Sequence, residues 1–164
     1  MAAQQSLIQA MGHSLTGTPF VPSLDRSPQA NIESLVSAVG SGRAAARALG
    51  VAESTLRGWR RGVTPRRDPR VFVAAARGAL SGDRYAAAYN GDVTIAIKGK
   101  IRVSSDERER TVYPGRNIPR QTMQGILRAW ATGDDERAER LLYKAIDTNY
   151  QPLQFNTVVG VWFE

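Results

Sequence analysis

Residues 42–62 read Gly42-Arg43-Ala44-Ala45-Ala46-Arg47-Ala48-Leu49-Gly50-Val51-Ala52-Glu53-Ser54-Thr55-Leu56-Arg57-Gly58-Trp59-Arg60-Arg61-Gly62. The stretch predicts two short helices that cross closely. Ala46 is the small residue that lets two backbones approach, and Gly50 can take the positive φ that a tight turn between them needs. Leu49, Val51, Leu56 and Trp59 have the spacing to fill the little core under the crossing. Together these features predict a helix-turn-helix. The bland alternative is a helical hairpin with no DNA contact, which leaves the arginines crowded on the same segment without a role.

In a helix-turn-helix the second helix, here residues 53–61, enters the major groove. Its outward residues are Glu53, Ser54, Arg57, Gly58 and Arg61. Arg57 and Arg61 stand i, i+4 on one face and are candidates for base edges or phosphates; Arg60 completes the DNA-binding set on this helix. Trp59 falls on the core side. Ala52 occupies the position where a Ser or Thr usually caps such a helix, so either the cap falls to Glu53 or Ser54 or the helix starts without one. Arg66, Arg67 and Arg70 follow a Thr64-Pro65 break and are assigned to phosphate, where they add affinity more than sequence choice.

Charge supports the same reading. The 164 residues carry 22 Lys and Arg against 15 Asp and Glu, a net +7. Up to Gly82 there are ten arginines against four carboxylates, a net +6, and the remainder is close to neutral at +1. An arginine fork matches phosphate oxygens and guanine edges. There is no cysteine and one histidine, His13, which removes thiolate chemistry, Cys-ligated metals and multi-His sites. No apolar run approaches the ~20 residues of a bilayer span. The first five residues lack the basic start of a secretory signal, so a cytoplasmic, nucleoid-associated protein is expected, with no membrane partner.

Around this motif the chain divides into three. Residues 1–26, with breakers at Gly12, Gly17, Pro19 and Pro22, are expected to be a flexible segment, in which Leu7, Ile8, Met11 and Leu15 mark a short amphipathic turn. Residues 27–91 form the DNA-binding domain. Its first helix is opened by Ser27-Pro28 and closed by Gly40, and a later one spans residues 70–80, stopped at Ser81-Gly82, with a further helical turn at residues 85–89. Residues 92–164 form a second domain.

In that second domain Val93, Ile95, Ile97, Ile101 and Val103 alternate with Thr94, Ala96, Lys98, Lys100 and Arg102, a strand with one buried and one basic face. Lys98-Gly99 is an alternative turn within it. Residues 104–108 read as a charged connection and residues 110–113 as the returning strand. Pro119 and the Asp134-Asp135-Glu136 run open two helices, and residues 155–163 form a last strand. The order β-β-α-α-β predicts a three-stranded sheet packed on two helices, and the whole chain an α+β fold. No Walker loop, nucleophile elbow, zinc spacing or paired-carboxylate motif is present.

The full arrangement resembles the Tpg-type telomere terminal proteins of linear actinobacterial replicons. The likeness is carried by the helix at residues 27–39, by residues 40–51 with Thr55-Leu56, and by the basic Gly62-Val63-Thr64-Pro65-Arg66-Arg67 tail. The later order of strand, Ser/Thr-acidic loop, strand, proline-opened helix, helix and apolar strand extends it to about residues 27–164. The resemblance implies binding to replicon ends and covalent attachment of the protein to the DNA 5′ end, so that a side-chain hydroxyl primes end-patching synthesis. In that family the hydroxyl is a threonine of the acidic loop. The matching stretch Val103-Ser104-Ser105-Asp106-Glu107 puts Ser105 there, with Ser104 and Thr111 as substitutes. The implied partners are telomeric DNA, a telomere-associated replication protein and a DNA polymerase; a homodimer is also compatible. The chain itself binds no cofactor on this reading, and divalent metal is expected on the polymerase. The alternative from the residues alone is a helix-turn-helix transcriptional regulator whose α+β half dimerises or senses a ligand.

Overall fold

The computed structural model describes residues 6–103 and 105–164. Among them seven α-helices, one 3-10 turn and a three-stranded antiparallel sheet make a mixed fold of α+β type. The elements are α1 (Leu7–Thr16), α2 (Pro28–Val39), α3 (Gly42–Leu49), α4 (Glu53–Arg60) and α5 (Arg70–Tyr89). Then follow β1 (Ile95–Val103), β2 (Asp106–Val112), the 3-10 turn Pro114–Arg116, α6 (Arg120–Ala131), α7 (Asp135–Asn149) and β3 (Gln154–Phe163). None of the described helices is long and apolar enough to cross a membrane.

Local chemistry sets the ends of α2 and α3. Ser27 caps α2 by accepting from the Ala30 N–H, with Pro28 in the first turn, and Ser41 caps α3 through the Ala44 N–H. Gly50 closes α3 at φ 67°, left-handed backbone that a β-carbon would resist. By contrast α4 begins at Ala52 with no side-chain cap, the uncapped start of the two alternatives. Ile32, Leu35, Ala45, Ala46, Leu49, Leu56, Trp59, Phe72 and Ala76 form one hydrophobic cluster beneath α2–α5. Trp59 and Phe72 meet edge to face at 5.4 Å.

A second, larger cluster joins α1, α6 and α7 to one face of the sheet, whose order is β2-β1-β3. Ile95, Ile97 and Ile101 of β1 point into it. β1 runs unbroken through Lys98-Gly99, so the alternative turn there does not form. A β-carbon on Gly99 would collide with the Thr157 carbonyl of β3, and the β1–β3 register slips on either side of Lys100. β2 starts at Asp106, earlier than expected. Its charges are satisfied across and along the sheet by Arg102–Glu107 at 2.8 Å and Lys98–Glu109 at 3.3 Å, which lets a run read as a loop extend as strand.

One further expectation is corrected, and another is met. Residues 7–16, placed in a flexible segment, form α1, started by a reciprocal Ser6–Gln9 capping box. Leu7, Ile8, Met11 and Leu15 are buried in the second cluster, where each full burial stabilises by about 2 kcal/mol. So short a helix gains its stability from packing, which its isolated pattern does not reveal. The stop expected at Ser81-Gly82 is present, as a break within α5. Gly82 turns to φ 42°, ψ −119°, and the helix resumes to Tyr89. As a result α5 contributes Phe72 and Ala76 to the first cluster and Ala88 to the second.

Candidate nucleic-acid interface

Leu56 and Trp59 anchor α4 by their burial, and helical periodicity then turns the opposite face outward. Glu53, Ser54, Arg57 and Arg61 are all exposed there. Among the described residues the Arg57 and Arg61 guanidinium groups have no ion-pair or hydrogen-bond partner. Glu53 sits 3.8 Å from Arg43, a loose pair between exposed groups that contributes little.

Arg60 is engaged differently. Its Nε and one terminal nitrogen donate to the two carboxylate oxygens of Glu33 on α2, at 2.7 and 3.1 Å. The hydrogen bond and the negative charge of Glu33 both hold the Arg60 proton more firmly than usual. This fork-to-fork clasp fixes α4 against α2. Arg60 therefore positions the helix rather than presenting a free cation. Glu33 lies far back in the sequence, and no local pattern could pair the two.

The basic tail divides in the same way. Arg66 and Arg70 are exposed, and among the described residues their guanidinium groups are unpaired. Arg67 donates to the Leu49 carbonyl at 3.0 Å and lies over the Trp59 ring at 5.7 Å. It thereby satisfies a carbonyl at the C-terminal end of α3 and covers the indole. Arg77 is interior, 1 % exposed. Among the described residues, the exposed arginines from α3 to the start of α5 with neither ion pair nor side-chain hydrogen bond are thus Arg47, Arg57, Arg61, Arg66 and Arg70.

Ser105 lies in the turn of the β1–β2 hairpin, closed by the pairing of Val103 with Asp106, and is exposed. Thr111 is half-buried within β2 opposite Lys98, a less accessible hydroxyl. Ser104 lies outside the described residues. Beside Ser105, the Asp106 carboxylate accepts from Arg110 at 3.0 Å and pairs with Arg108 at 3.3 Å. Hydrogen bonds from Arg102 and then Asn156 hold the Glu107 carboxyl below its usual range. Among the described residues no three or more His, Asp or Glu side chains come together as a metal site. No known family matches the chain, and neither a curated protein nor a solved structure matches it.

Proposed function

We propose that this chain is a DNA-end terminal protein, with α3 and α4 as its helix-turn-helix and Ser105 as the hydroxyl joined to the 5′ end. Arg57 and Arg61 read the groove, Arg66 and Arg70 hold phosphate, and Arg60 and Arg67 keep α4 in place. The observation that carries the reading is the separation of the two tasks. A free basic helix face stands on one element, and an exposed hydroxyl stands in the turn of a hairpin on another.

In the joining step the Ser105 Oγ attacks the α-phosphorus of a deoxynucleoside triphosphate. The Oγ–P bond forms as the bond to the β-phosphate oxygen breaks, and pyrophosphate leaves. The hydroxyl proton passes to a base on the partner polymerase, which also supplies the divalent metal. The terminal protein has only to present the nucleophile. Its partners on this reading are replicon-end DNA, that polymerase and a telomere-associated replication protein, and its place is on the nucleoid.

The test is to incubate the protein with a replicon-end template, polymerase and labelled dCTP. Label is expected on the protein itself, and Ser105→Ala should lose it while retaining duplex binding. A wild type that binds DNA and never labels favours a transcriptional regulator; a Ser105→Ala variant that labels normally moves the site to Ser104 or Thr111.

A further inference from the structure

Ala96 is fully buried yet belongs to neither hydrophobic cluster. Its neighbours Ile95 and Ile97 face the core, so Ala96 faces the other side of the sheet and is covered from there. The register places an aromatic residue on each flank of it. Trp162 of β3 is its partner, and Tyr113 follows Val112, the partner of Ile97, at the same level on the other flank. Neither ring packs against the core cluster, and both are half-buried. The Trp162 ring lies along the sheet over Gly160, where an added β-carbon would meet it at 3.6 Å. Its Nε1–H donates to Glu164 at 2.6 Å, which fixes the ring plane. Arg116 stacks on Tyr113 at 4.5 Å.

Next to this aromatic pair, β1 places a cation at each successive outward position: Lys98, Lys100 and Arg102. Glu109 and Glu107 pair with the first and last; Lys100 makes no close ion pair among the described residues, although its charge acts on Glu107. With Arg116 the face carries four cations against the carboxylates of Glu107, Glu109 and Glu164, a small positive excess. We propose that this outer face is a binding surface for single-stranded nucleic acid, distinct from α4. Bases stack on Trp162 and on the Tyr113–Arg116 pair, and the backbone runs along the cations of β1. A duplex stacks its bases on one another and offers only their edges, whereas unpaired bases present the π faces that such a platform needs. The proposal goes beyond the terminal-protein reading and stands without the covalent step.

The experiment uses the full chain and a fluorescent oligo-dT of about twelve nucleotides, a length within the range of single-strand sites. Anisotropy gives affinity across a salt series. Indole fluorescence gives stacking, because Trp162 is partly exposed while Trp59 and Trp130 are buried. Wild type should bind with quenching. Trp162→Ala should weaken binding about tenfold, the scale of one lost base stack. Lys100→Gln, at an exposed position outside any core, should flatten the salt dependence by about 0.7 in log–log slope, the single-strand increment per cation. Arg57→Ala/Arg61→Ala should leave oligo-dT binding unchanged. The proposal is overturned if wild type ignores oligo-dT, if Trp162→Ala and Lys100→Gln both bind normally, or if the Arg57/Arg61 variant alone loses binding.

Discussion

Arg77 on α5 donates to both carboxylate oxygens of Asp135 at the start of α7, at 2.7 and 3.0 Å, from a side chain only 2 % exposed. It also donates to the carbonyls of Pro22 and Trp130 at 2.8 and 2.7 Å, and lies 4.9 Å from the Trp130 ring. One guanidinium thus ties together the loop after α1, the helix that runs between both hydrophobic clusters, and the α6–α7 junction. Asp135→Asn would leave that buried cation without its counter-charge. The expected loss is roughly 3 kcal/mol, the low end for breaking a buried pair because Asp135 is itself 40 % exposed. Urea unfolding measures it, and a shift within error of wild type would show the pair to be incidental.

The buried face of α1 makes a second prediction. Leu15 and Met11 are each fully buried in the sheet-side cluster. Leu15→Ala should cost about 3 kcal/mol in denaturant midpoint analysis, as deletion of a packed core side chain does. Little or no change would restore the view of the N-terminal region as a flexible appendage.

The basic arginines should separate by what they touch. Arg66→Ala and Arg70→Ala are each expected to reduce the duplex salt slope by about 0.9, one phosphate contact apiece. Arg67→Ala should change that slope less, because its guanidinium is spent on the Leu49 carbonyl and Trp59. It should instead lower thermal stability. Arg57→Ala and Arg61→Ala should alter sequence preference, measured by competition among duplexes. Equal slopes for all three tail variants would contradict the division.

Glu107 carries a pH dependence of definite sign. Its hydrogen bond from Arg102 keeps the folded carboxyl below the ordinary 4.5. The stabilisation is therefore present above 4.5 and is lost as pH falls through the lowered folded value. Arg102→Gln should return the Glu107 titration, followed by carboxyl NMR, toward the ordinary range. A midpoint that stays where it was would assign the shift to Asn156 and Lys100 instead.

The parts of this fold that were legible in the sequence are those governed by near neighbours. Ser27-Pro28 opens a helix and Gly40 and Gly50 close helices through contacts within a few residues, and Ile95, Ile97 and Ile101 show their face by alternation. What escaped depends on distant partners. Glu33 claims Arg60, Leu49 claims Arg67, and the sheet claims α1, none of which a window of local sequence contains. The extent of β2 was hidden for a related reason: its charges suit a loop until Lys98 and Arg102 stand across from them. At the candidate site the outward face of α4 could be read from periodicity. Which of its arginines are free could not.

The central claim is that Ser105 becomes covalently joined to a nucleotide, and locating the linkage tests it most directly. After reaction with replicon-end template, polymerase and dCTP, trypsin should release residues 103–108, bounded by Arg102 and Arg108. Mass spectrometry should find that peptide carrying one deoxycytidylate, with fragmentation placing it on Ser105. An unmodified peptide from protein that demonstrably binds the template, or a nucleotide located on another residue, would contradict the account.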